Sequence, residues 1–168
     1  MKIIVMCEGN SELYLINSLI KKGHIVFEHE LLGDKPHHAR QLKQLSPLIN
    51  ALPVEEEMLI YRIGDTLKDK LSFDGFELRK EKMQVFKYCT KPEIEILIII
   101  NENLLEEYNK ASSKISAKSF IKPYLKKCSI SDYFESHDII GSIREYKRIK
   151  THNNGEFYLA DLLKNDDN

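Results

Sequence analysis

The chain has 168 residues, near the commonest size for one domain, and 42% of them are hydrophobic, enough to close a core. Its 25 basic and 26 acidic side chains nearly cancel, which excludes a general field drawing it to DNA or an anionic membrane; any nucleic-acid contact must be local. Cys7, Cys89 and Cys128 are odd in number and widely spaced, a pattern that argues against a disulfide frame or a cysteine zinc site and for a reducing, cytoplasmic setting. No stretch approaches the ~18 to 20 apolar residues that span a bilayer, so no membrane association is expected.

In chain order, residues 2 to 7 form a continuous apolar, β-branched run, the signature of a strand buried on both faces of a parallel sheet. Glu8-Gly9-Asn10-Ser11 breaks it. From Ser11, the apolar Leu13, Leu15, Ile16, Leu19 and Ile20 recur at helical spacing, and Gly23 supplies a stop. A short strand is expected at Ile25 to Phe27. A polar loop through Gly33 and His37-His38 leads to a second helix over Leu42 to Leu52, bent or restarted at Pro47. Strands follow at Met58 to Ile63, ending in Gly64-Asp65-Thr66, and at Met83 to Cys89.

Thr90-Lys91-Pro92-Glu93 reads as a helix start, with Thr90 and Glu93 as capping-box partners. The apolar run Ile94 to Leu105 then predicts a helix buried almost all round, with a strand as the alternative. Shorter helices are expected near 116 to 127, 136 to 150 and 158 to 164. The expected architecture is a single α/β domain over 1–164, a mainly parallel sheet of about four strands with flanking helices. Its core covers 1–110 and a C-terminal helical cap 111–164, and 165–168 form a frayed tail.

In open α/β sheets ligands bind beyond the carboxyl ends of the strands. Glu8 and Asp65 each directly follow a predicted strand, so a parallel sheet delivers both carboxylates to one edge, a start on a magnesium site. The competing assignment is local: Glu8 caps the helix that follows it, and Asp65 makes a turn with Thr66. Glu95 lies among apolar neighbours, and a buried carboxylate needs a partner, which a metal, Arg62 or a lysine of the cap could supply.

The segment Ile3-Ile4-Val5-Met6-Cys7-Glu8-Gly9-Asn10-Ser11-Glu12 resembles the opening of a TOPRIM domain, the fold shared by topoisomerases, primases, OLD-type nucleases and RloB-like proteins. Lys91-Pro92-Glu93-Ile94-Glu95 and the apolar residues after it are similar to a segment of the RloB-like branch, known from small bacterial and phage-associated proteins. The resemblance implies a Rossmann-like core in which the glutamate after the first strand and an Asp-x-Asp after the third hold magnesium, or manganese, for phosphodiester chemistry. Here the motif begins at Asp65, but the residue two further on is Leu67; Asp69, four along, would replace the missing acid if 65–69 form one helical turn.

The function so implied is a magnesium-dependent nuclease or phosphotransfer enzyme acting on nucleic acid, in phage defence or mobile-element biology. Glu8 would be ligand or general base, Asp65 a ligand, and Asp69 or Glu95 would complete the shell. Lys147 and Arg148, in the locally basic segment Ile143 to Lys150, are candidates for stabilising charge on the transferring phosphoryl group, or else part of a solvated helix face. The interrupted motif also admits a catalytically degenerate module that docks on nucleic acid or a separately encoded ATPase. Asp65 after a third strand resembles a phospho-receiver as well, but Glu8 is followed by Gly9 where that fold needs an acidic pair. Neither a phosphate loop nor a dinucleotide fingerprint occurs, and the six histidines lack zinc spacing.

Overall fold

The computed structural model describes residues 1–65, 70–91, 93–125, 128–150 and 157–164. Five parallel strands form one sheet in the order β2-β1-β3-β4-β5: β1 Lys2–Cys7, β2 His37–His38, β3 Met58–Gly64, β4 Met83–Cys89 and β5 Phe157–Tyr158. The sheet therefore has one more strand than expected, because both outer strands are only two residues long. The alternation of side chains along each strand divides the core in two. Ile3, Val5, Cys7, Ile63 and Tyr88 face one layer, while Ile4, Met6, Met58, Ile60 and Met83 face the other. Burial on both faces is why β1 reads as an unbroken apolar run rather than an alternating one.

Helix α1 (Asn10–Lys21) presents Leu15, Ile16 and Leu19 to the first layer. It ends as expected at Gly23, whose φ of 73° is the left-handed conformation that glycine adopts without strain. Gly23 N donates to the Ile20 carbonyl and His24 N to the Leu19 carbonyl, the paired bonds of a Schellman motif. This motif also corrects the expected strand at Ile25 to Phe27. Ile25 is drawn in against the end of α1, with its N–H on the Leu19 carbonyl, so it is buried without pairing in the sheet, and His37–His38 takes the edge beside β1.

On the second face, a 3₁₀ turn at Leu42–Leu45 gives way to α2 (Ser46–Asn50), with Pro47 in the first turn of the restarted helix. The apolar run after Ile94 is helical, not extended. Ile96–Asn101 is α3, with Ile96, Leu97, Ile98 and Ile99 all buried, and a positive φ at Asn103 separates it from α4 (Leu105–Ala111). Helices α5 (Ala117–Leu125), α6 (Ile130–Ser136) and α7 (Ile140–Ile149) follow. The helix expected near 136 to 150 is α7, which starts only at Ile140, and α6 before it was not expected. The expected helix at 158 to 164 is instead β5 followed by a 3₁₀ turn at Leu159–Leu162. Helix α6 packs on α1 and α7 on α3, so the C-terminal helices share the core of the first layer. No helix among the described residues is long and apolar enough to cross a membrane.

Candidate active site

The strand order reverses between β1 and β3. From β1 the chain crosses to β2 on one side, and the next strand, β3, lies on the other. The loops after β1 and β3 diverge there and leave a crevice at the carboxyl edge, the usual binding position in open parallel sheets. In this crevice is a cleft of about 300 Å³ lined by the β1–α1 turn from Glu8 to Glu12, by Asp65 after β3, and by Glu93 to Glu95. Arg40 and Lys118 line it as well.

Glu8, Asp65 and Glu95, three of the four acids expected to contribute, therefore meet in one cleft. The fourth, Asp69, lies outside the described residues, as does Leu67. Among the described residues no three His, Cys, Asp or Glu side chains are arranged as a group that could hold a metal ion, so an ion shared by three of these acids would require carboxylates to turn towards it.

Glu8 and Glu95 have distinct environments. Glu8 is buried and accepts from Arg62 Nη2 at 3.3 Å, an ion pair in which the arginine is also buried. The Arg40 side chain reaches the same turn, its Nε donating to the Glu8 backbone carbonyl at 3.4 Å. Glu95 is buried too, but its hydrogen bond comes from the Ser11 hydroxyl at 3.1 Å, while Arg62 serves Glu8.

Two expectations at the start of the apolar segment are corrected. Thr90 and Glu93 do not form a capping box. The Thr90 hydroxyl donates to Glu12 Oε1 at 3.4 Å, and Glu93 Oε2 accepts from the Lys118 backbone N–H at 2.8 Å, in the first turn of α5. Helix α3 begins only at Ile96, too late in the chain for Thr90 to cap it.

Arg40, Lys118 and Glu12 line the cleft without having been candidates from the sequence, and Glu12 is the one among them that carries a carboxylate. It is buried, and its carboxyl is pushed above the ordinary value, first by desolvation and then by the negative charges of Glu95 and Asp65. Its signal was legible: it shares a helical face with Leu15, Ile16 and Leu19, so a carboxylate stands on the apolar side of α1. The same charge reaches beneath the floor, where burial, and secondarily Glu12, push the Cys7 thiol up.

The two basic candidates on α7 do not line this cleft. Lys147 Nζ pairs with Asp161, and Arg148, largely exposed, pairs with Glu145 one turn earlier at 2.6 Å. They are surface ion pairs of a solvated helix face, a kind worth little individually. Among the described residues, the cations at the cleft are Arg40, Lys118 and, behind Glu8, Arg62.

Fold and cleft together define an α/β protein with an all-parallel sheet and a carboxylate-lined crevice where the strand order reverses. No protein-family model matches the chain, nor does any curated protein or solved structure.

Proposed function

We propose that the cleft is a divalent-cation site of a magnesium-dependent nuclease or phosphotransfer enzyme acting on nucleic acid, of the TOPRIM type that the Glu8-Gly9 segment resembles. The observation that carries this reading is the convergence of Glu8, Glu12, Asp65 and Glu95 on one crevice, close enough for Glu95 and Asp65 to raise the Glu12 carboxyl. A cation among them would relieve that repulsion. The donors are all hard oxygens, which suits magnesium or manganese and not zinc.

Glu8 and Asp65 would hold the ion, with Glu95 reaching it from the far wall and Asp69 a further candidate on the segment after β3. When bound, the ion would lower the pKa of a coordinated water and neutralise charge on a phosphate oxygen. Arg40 and Lys118, at the same cleft, would donate charge-assisted hydrogen bonds to the remaining phosphate oxygens. Lys147 and Arg148 have no part in this reading.

The test pairs calorimetric titration of magnesium and manganese with cleavage assays on DNA and RNA, using the wild type and Glu8→Gln. Saturable binding and cleavage in the wild type, both lost in a Glu8→Gln protein that still unfolds cooperatively, is the expected result. Full activity in that variant would reject the mechanism.

A second reading is favoured by the Glu8–Arg62 ion pair and by Leu67 in place of an acid: a catalytically degenerate module that docks on nucleic acid or on a partner ATPase. Here Glu8 serves the fold through Arg62. No saturable metal binding, with nucleic-acid affinity retained in Glu8→Gln, is its signature.

A further inference from the structure

Gly64 closes β3, and glycine is a poor strand residue, since it gives up packing and costs conformational entropy. Its backbone does not require it: among the described residues the glycines with positive φ are Gly23, Gly33 and Gly75. The explanation lies above it. A Cβ built on Gly64 would stand 2.4 Å from Glu8 Oε2 and 2.5 Å from Glu8 Cδ and Cγ, its three nearest neighbours. The carboxylate of Glu8 therefore leans from the end of β1 across the end of β3 and rests on the Gly64 backbone, next in sequence to Asp65.

Two residues earlier on β3, and on the same face of the strand, Arg62 holds Glu8 Oε1 from within the core. Any side chain at 64 would push Glu8 off this seat, because the obstructing atoms include Cγ as well as the mobile carboxylate. Gly9 is a milder case. A Cβ there would meet the tip of Glu12, Oε2 at 2.6 Å, with the next atom at 3.6 Å.

We propose that Gly64 is a positioning residue of the cleft: by lacking a side chain it lets the Glu8 carboxylate lie across β3 beside Asp65, where the two acids take the same divalent cation. This rests on the metal-site reading above. A glycine needed only for strand geometry or packing would affect stability but not the metal affinity of the folded protein.

The experiment measures manganese affinity by calorimetry and thermal unfolding for the wild type, Gly64→Ala, Glu8→Ala and the double variant. Gly64→Ala is expected to weaken manganese binding by about 10- to 100-fold, the range typical of residues that orient metal ligands. It is also expected to lower Tm when Glu8 is present and leave Tm unchanged in the Glu8→Ala background, the non-additivity of two groups in contact.

If Gly64→Ala fails to fold while the double variant folds, the clearance for Glu8 is upheld. If Glu8→Ala folds but neither protein carrying Gly64→Ala does, or Tm falls equally in both backgrounds, the glycine serves something other than Glu8 and the proposal is overturned. Saturable manganese binding that Gly64→Ala leaves unchanged overturns the positioning role alone. Absence of saturable binding in the wild type overturns the metal reading and the role of Gly64 with it.

Discussion

The Ser11 hydroxyl donates to Glu95 Oε1 at 3.1 Å, joining the first turn of α1 to the start of the buried segment after β4, 84 residues further along the chain. The bond spans the cleft wall to wall and is the hydrogen bond of a buried carboxylate. It ties the position of Glu95 to that of the β1–α1 turn, so a hydroxyl-to-carboxylate hydrogen bond registers the two sides of the crevice.

Ser11→Ala should accordingly destabilise the fold. A hydrogen bond to a charged, buried acceptor is worth about 1.5–3 kcal/mol when its donor is removed. Ser11 itself is half-buried, so water can replace part of the loss, and about 1–2 kcal/mol is expected in urea unfolding. An unchanged midpoint would mean that the contact is not populated in solution.

Glu12 predicts a pH dependence of definite sign. Its folded-state pKa lies above the ordinary 4.5, so between those two values the folded chain holds a proton that the unfolded chain releases, and stability falls as pH rises through the window. Glu12→Gln, which carries no charge at any pH, should match the wild type below 4.5 and exceed it in stability at neutral pH. Urea unfolding of both proteins across that range checks the crossover; a constant offset at all pH values would exclude a Glu12 carboxyl raised by burial and by its acidic neighbours.

The cysteines should differ sharply in reactivity. Cys7 and Cys89 are buried, and the Cys7 thiol is driven upward by burial and by Glu12, whereas Cys128 is partly exposed. Because the thiolate is the reacting species, a disulfide reagent should modify Cys128 alone in the native protein and all three cysteines in denaturant. Rapid labelling of two thiols under native conditions would contradict the packing around β1.

The parts of this protein legible from sequence are those governed by neighbours along the chain. The two-faced apolar runs of β1 and β3, the glycine that ends α1, and the restart at Pro47 all follow from local periodicity and backbone chemistry. The placement of Glu8 and Asp65 at the carboxyl edge follows as well, since parallel strands must end on the same side. Partner choice was not legible, because it depends on residues tens of positions apart. Local pattern paired Thr90 with Glu93, but the tertiary structure gives Thr90 to Glu12 and Glu93 to Lys118. It likewise draws Ile25 into the end of α1, leaves the sheet edge to His37–His38, and sets Lys147 and Arg148 away from the cleft. That Gly64 is a glycine was written in the chain. That a glutamate 56 positions earlier rests on it was decided by the pairing of β1 with β3, which brings the ends of those strands together.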